Sequence, residues 1–105
     1  MILCICPSPA IDVTYHVDTL HRGGSTRVRS LSRRAGGKAV NVACVLHAVA
    51  ADSHVLAPVG GPAGAEFAEL LRATGVPADL VPDPAPTRTT VVVVASLGAD
   101  GAMLA

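Results

Sequence analysis

The chain has 105 residues, half of them apolar, 15% charged and 2% aromatic, with eight basic residues balancing eight acidic ones. That size allows one domain at most, the apolar share argues against disorder, and the charge balance gives no broad positive field for nucleic acid. The longest strongly apolar run, Val91 to Ala95, is far below the roughly 20 residues of a membrane span, and no basic leader precedes a long apolar region, so a soluble, cytoplasmic protein is expected.

In chain order, Ile2 to Cys6 is a short apolar run closed by Pro7 and Pro9, which predicts a strand buried on both faces of a parallel sheet. Ile11 to Val17 alternates, with Ile11, Val13, Tyr15 and Val17 on one side, and predicts a half-exposed strand. A turn at His21 to Ser25 and a return strand at Arg27 to Leu31 would complete a polar hairpin, a flap rather than core. After Gly36-Gly37, the spacing of Val42, Val45, Leu46 and Val49 predicts a helix from about Lys38 to Ala50 with that face inward. Ser53 to Val59 reads as a strand broken by Gly60-Gly61-Pro62, and Gly64 to Thr74 as a helix burying Phe67, Leu70 and Leu71 and capped by Gly75. A short strand at Ala78 to Val81, a stiff Pro82–Pro86 connector, a β-prone run at Thr87 to Ser96 and a turn at Gly98 to Gly101 follow. The order is α/β, a parallel sheet flanked by helices with a separate small β-layer, and it has fewer strands than a doubly wound sheet normally carries.

Three cysteines, Cys4, Cys6 and Cys44, cannot all pair, and Cys4 and Cys6 share one strand face in poor geometry for a disulfide. With no recognised ligand spacing nearby they are expected to be buried, reduced thiols, and no metal site is expected. The core must come from Val, Ala, Leu and Ile, because Phe67 and Tyr15 are the only aromatic residues. A chain this small buries only about 60–65% of its unfolded surface, which makes its stability modest.

The chemistry-bearing pattern is Gly36-Gly37-Lys38-x-x-Asn41 at a helix start, with Asp12 at the end of the first strand region. Glycines permit positive φ and close approach, the first helical N–H groups lack intrahelical partners, and Lys38 adds a cation, an environment suited to hydroxyl or phosphate oxygens. Asn41 can donate and accept, and a carboxylate such as Asp12 can accept from vicinal hydroxyls. Taken singly, each has a plain alternative: a glycine turn with a solvated lysine, and a solvated aspartate at a strand edge.

Together, Pro7-Ser8-Pro9-Ala10-Ile11-Asp12, Ala35-Gly36-Gly37-Lys38-Ala39-Val40-Asn41-Val42-Ala43, Pro58-Val59-Gly60-Gly61-x-x-Gly64 and Thr87-Arg88-Thr89-Thr90 resemble the PfkB (ribokinase-like) carbohydrate kinases, above all the 1-phosphofructokinase and tagatose-6-phosphate kinase branch. The resemblance implies a ribokinase-like fold, here the N-terminal part of its parallel sheet with a small β-lid, and ATP-dependent, Mg²⁺-assisted phosphoryl transfer to a sugar phosphate such as fructose 1-phosphate. By position it implies sugar-hydroxyl contacts for Asp12, the Gly36-Gly37 backbone and Asn41, and phosphate contacts for Lys38 and Arg88. Arg27 on the lid would reach a phosphate, or else be a solvated strand charge, and a homodimer through the lid is implied. The four histidines match no family role. Ser8 stands where the branch usually has Asn, and Ala39 where it usually has Gly.

The family's Gly-Ala-Gly-Asp motif, which supplies its catalytic base, does not occur in the 105 residues. The expectation is therefore that residues 1–105 hold the acceptor-binding and lid part of a kinase domain, with no catalytic residue and no site for ATP or Mg²⁺, inactive alone. A non-catalytic sugar-phosphate-binding or dimerisation module and a poorly folded fragment are the alternatives.

Overall fold

A computed structural model describes residues 1–95 and the strand Ala102–Leu104; the expected turn at Gly98 to Gly101 lies outside the described residues. The elements are β1 (Ile2–Ile5), β2 (Ala10–Val17), β3 (Val28–Gly36), α1 (Lys38–Ala48), β4 (Ser53–Val59), α2 (Gly61–Thr74), β5 (Ala78–Pro82), β6 (Arg88–Ala95) and β7 (Ala102–Leu104). They form two compact units, one of residues 1–11 and 34–89, the other of residues 12–33 and 90–105.

The first unit is an α/β layer. Its sheet has the order β1-β4-β5, all parallel, with Cys4 beside Val55 and Val55 beside Ala78. Strand periodicity puts Cys4, Ser53, Val55, Ala57, Ala78 and Leu80 on one face. Both helices lie on that face: the buried Ser53 hydroxyl donates to the Ala43 carbonyl of α1 at 3.3 Å, and Ala68 and Leu71 of α2 share a hollow with Ala78 and Leu80. Val40, Ala43, Val55, Ala57, Phe67 and Leu71 make the core between them. Burying Phe67 completely contributes about 1.5–3 kcal/mol of transfer free energy.

Two burial expectations fail. The face of α1 carrying Val42, Val45 and Val49 is 52%, 65% and 68% exposed, and the helix instead buries Val40 and Ala43. The helix is apolar on both sides, so spacing alone could not choose; small Ala43 permits the closer seat against β4. β1 is likewise not covered on both faces, since Ile2, Leu3 and Ile5 are all exposed and Cys4 alone is buried.

Helix α2 starts earlier than expected, at Gly61, because Pro62 occupies the first turn, where its missing N–H costs nothing. It ends as expected on Gly75 in the left-handed region (φ 84°), whose N–H reaches the Arg72 carbonyl.

The second unit is the small β-layer. Its sheet has the order β3-β2-β6-β7, and β6 and β7 are antiparallel with Val93 beside Leu104. The polar hairpin expected from the sequence is therefore present, with β3 running on to Gly36 and the β-prone 88–95 segment joining it beside β2. The Gly24 N–H donates to the His21 carbonyl in the turn, and Arg29 bridges to both carboxylate oxygens of Asp18 at 2.8 and 3.1 Å.

Candidate functional site

In the first unit, β1 delivers Pro7-Ser8-Pro9 to the place where α1 begins. Gly37 is the N-cap of α1 with φ 115° and ψ 149°, a conformation essentially reserved for glycine. A Cβ there would stand 2.7 Å from Cys6 Sγ and 3.4 Å from the Ser8 carbonyl oxygen. The bare backbone at Gly37 thus fits the chain's own packing against the end of β1. Gly36 ends β3, is buried, and has no positive φ.

No side chain caps α1 and no acidic residue lies in its first turn, so its partly positive N-terminus remains uncompensated by the protein. A cavity of about 310 Å³ opens there, lined by Ile5, Cys6, Pro7, Ser8, Lys38, Ala39 and Arg88. Lys38 and Arg88, 50 positions apart in sequence, therefore share one hollow with the helix N-terminus. Arg88 is held at its rim, its Nε donating to Ser8 Oγ at 2.9 Å and Nη2 to the Ser8 carbonyl at 3.1 Å. Two cations, a helix N-terminus and a hydroxyl line one hollow, a locally positive environment in a chain of zero net charge.

Asn41 sits in the first turn of α1, its N–H donating to the Gly37 carbonyl at 2.9 Å. Arg34 Nη2 donates a long 3.4 Å hydrogen bond to Asn41 Oδ1. The loop after β4 is clipped by Thr87: Gly60 N donates to Thr87 Oγ1 at 3.1 Å, and Thr87 N to the Gly60 carbonyl at 3.0 Å. A Cβ on Gly60 would collide with the carbonyl oxygens of Asp83 and Ala85.

Asp12 and Arg27 belong to the second unit. Asp12 is half-buried and accepts a 2.6 Å hydrogen bond from Thr90 Oγ1, and Arg27 is exposed just ahead of β3. Of the residues singled out in the sequence, Lys38 and Arg88 share one cavity, Gly36, Gly37 and Asn41 stand at the start of the same helix, and Asp12 and Arg27 lie in the other unit. Sequence reasoning passed over Ser8, Arg34, Thr87 and Thr90 as working residues. Ser8, Thr87 and Thr90 lay inside quoted motifs, but no periodicity signals a hydrogen bond across 80 positions.

Among the described residues no group of three or more His, Cys, Asp or Glu side chains stands where it could hold a metal ion. No helix among them is long and apolar enough to cross a membrane.

The sequence profile described as pfkB family carbohydrate kinase matches residues 2–104. The chain is 37% identical to a 1-phosphofructokinase of Haloferax volcanii over 93% of its own length and 32% of that protein. Its fold superposes on phosphofructokinase-2 from Escherichia coli in complex with fructose-6-phosphate with a TM-score of 0.86 at 22% identity, covering 98% of this chain and 33% of that one. A putative ribokinase from Agrobacterium tumefaciens gives 0.74 at 16%, covering 98% and 34%. The fold is ribokinase-like, and the chain spans about a third of the length of these proteins.

Proposed function

The chain belongs to the pfkB family of carbohydrate kinases, and from that premise we propose that it carries the acceptor-binding half of a sugar-phosphate kinase. The observation that supports this most directly is the shared cavity of Lys38, Arg88 and the α1 N-terminus, an anion site large enough for a phosphate. In this reading the existing phosphate of a ketose phosphate, fructose 1-phosphate or fructose 6-phosphate, sits between Lys38 and Arg88. The Arg88 fork, already oriented by Ser8, contributes directional hydrogen bonds and Lys38 a mobile charge. Asn41 would bind and orient sugar hydroxyls, and for Asp12, in the second unit, a hydroxyl contact is proposed from the resemblance of its motif alone. When ATP and Mg²⁺ are bound in a complete kinase of this family they supply the transferable phosphoryl group and its charge neutralisation. Here the residues named bind and position the acceptor, and none is assigned the catalytic base. In this reading the isolated chain has no phosphotransferase activity.

Titration calorimetry with fructose 1-phosphate, fructose 6-phosphate and free fructose tests this. The phosphorylated sugars are expected to bind and fructose to bind far more weakly. Arg88→Gln should weaken the phosphosugars about ten- to hundred-fold, the equivalent of a charge-assisted hydrogen bond. Equal affinity for fructose and its phosphates, or an unchanged Arg88→Gln variant, would overturn the assignment.

A second reading, a non-catalytic module that pairs through the β-lid, is favoured by the exposed Val28, Leu31 and Val91 of the second unit. A homodimer dissociated by Leu31→Glu would support it; a monomer at high micromolar concentration would remove it.

A further inference from the structure

A second hollow, of about 130 Å³, lies in the first unit beside the one that holds Lys38. The two share Pro7, Ser8 and Arg88, so the hydrogen-bonded pair of Arg88 and Ser8 is a wall common to both. The smaller hollow replaces Lys38 with half-buried Asp83, which stands there with Thr87, Pro58 and Pro86. Asp83 is held in place by its own loop. Its N–H donates to the Val59 carbonyl at 2.8 Å, and four positions on Thr87 exchanges hydrogen bonds with Gly60 at 3.0 and 3.1 Å. Oδ1 of Asp83 accepts the Ala85 N–H at 3.0 Å, an Asx turn, whereas Oδ2 has no hydrogen-bond partner among the described residues. A carboxylate oxygen accepts and cannot donate, so it suits a hydroxyl and repels a phosphate. Ser8 Oγ and Thr87 Oγ1 already accept from Arg88 and Gly60, which leaves their hydroxyl protons to donate. A polyol, whose hydroxyls both donate and accept, satisfies both kinds of partner in one small space.

We propose that Asp83 is a specificity-determining residue, and that the second hollow takes a hydroxylated arm of the phosphosugar while the phosphate lies with Lys38 and Arg88. Given the acceptor-site reading on which this rests, one hollow with Lys38 and one with Asp83, side by side, decide which end of the ligand goes where. A phosphate beside Asp83 would face a like charge at short range, and would give up the Lys38 ammonium and the α1 N-terminus. At 130 Å³, less than half of the 310 Å³ next to it, the hollow has room for a short hydroxylated chain and none for a second sugar. The ties of its loop to residues 59 and 60 make it preformed, so binding there orders little of the chain.

The test compares fructose 1-phosphate with methyl phosphate, which carries the charge but no hydroxylated arm, on the full 105-residue chain by ³¹P resonance titration. Asp83→Asn keeps an oxygen for the Ala85 N–H and removes the carboxylate charge. Fructose 1-phosphate is expected to bind about ten-fold more weakly to this variant, the equivalent of one hydrogen bond to a charged group. Methyl phosphate should bind it as tightly as the wild type, or more tightly, because a like charge has gone. Arg88→Gln, by contrast, should weaken both ligands. A loop that had merely shifted would carry Arg88 with it, and Asp83→Asn would then weaken both ligands as well. That result, an unchanged affinity of Asp83→Asn for fructose 1-phosphate, or a wild type that binds the two ligands equally would each overturn the proposal. An Arg88→Gln variant that binds fructose 1-phosphate like the wild type would instead bring down the acceptor-site reading beneath it.

Discussion

Gly37→Ala isolates the backbone demand at the start of α1. Its φ of 115° with ψ 149° lies in the region that only glycine adopts freely, which for alanine costs about 1–3 kcal/mol. The new methyl would also stand 2.7 Å from Cys6 Sγ, and Cys6 is 3% exposed and cannot swing into solvent. Overpacking of that kind adds about 1–3 kcal/mol. The sum, about 2–6 kcal/mol, is a large part of the roughly 5–15 kcal/mol that holds a domain together. In urea, with a slope of about 2 kcal/mol per molar, the midpoint should fall by about 1 M or more. The two causes separate in a double-mutant cycle: in a Cys6→Ala background the methyl has space, so Gly37→Ala should then cost only the backbone part and the coupling should be about 1 kcal/mol or more. A loss below about 0.5 kcal/mol in both backgrounds would refute the conformational argument. An additive cycle would refute the steric one.

Gly60→Ala places a methyl against two backbone carbonyl oxygens, of Asp83 and Ala85, and should destabilise by about 3 kcal/mol or more, read as faster proteolysis of the 83–87 loop and a lower urea midpoint. Val45→Lys should change stability by no more than about 0.5 kcal/mol, since that side of α1 faces solvent; a loss near the 2–5 kcal/mol of a core truncation would restore the face that spacing suggested. Thr90→Val removes the 2.6 Å donor to a half-buried carboxylate and should cost about 1–3 kcal/mol by thermal or urea unfolding, with Thr90→Ser recovering most of it.

The parts of the fold legible in the sequence are those where one signal acted alone. α2 combined inward Phe67 and Leu71 with Gly75 and Pro77 as a stop, and β4 was bounded by polar Ser53 and Gly60. α1 was harder, because Ala39 to Leu46 is apolar except for Asn41 and any of several faces could be drawn through it. The deciding contact is tertiary, the seat of Ala43 against β4 under Ser53. β1 failed for a related reason: its composition describes an interior strand, and exposure depends on tertiary neighbours, of which the described residues give it β4 in the sheet and α1 on one face. At the candidate site, residue types announced the glycine turn and the cations. The clips that hold them, Arg88 on Ser8 and Thr87 on Gly60, join residues 80 and 27 positions apart, and no local rule encodes them.

The Thr87-Arg88-Thr89-Thr90 segment also decides how loss of function should be read. The same two stretches of chain, 8–12 and 88–90, are fastened twice, by Ser8 with Arg88 inside the first unit and by Asp12 with Thr90 inside the second. Arg88→Gln removes a cation from the cavity along with one fastening. Thr90→Val removes the other fastening and leaves Lys38, Arg88 and the helix N-terminus as they were. If phosphate recognition resides in the charges, Arg88→Gln should weaken fructose 1-phosphate far more than Thr90→Val, and raising the salt concentration should narrow the difference, since a charge lining an open cavity is screened. Equal losses in the two variants, unchanged by salt, would mean that affinity follows the paired segments and the setting of Asp12 rather than the charge of the guanidinium.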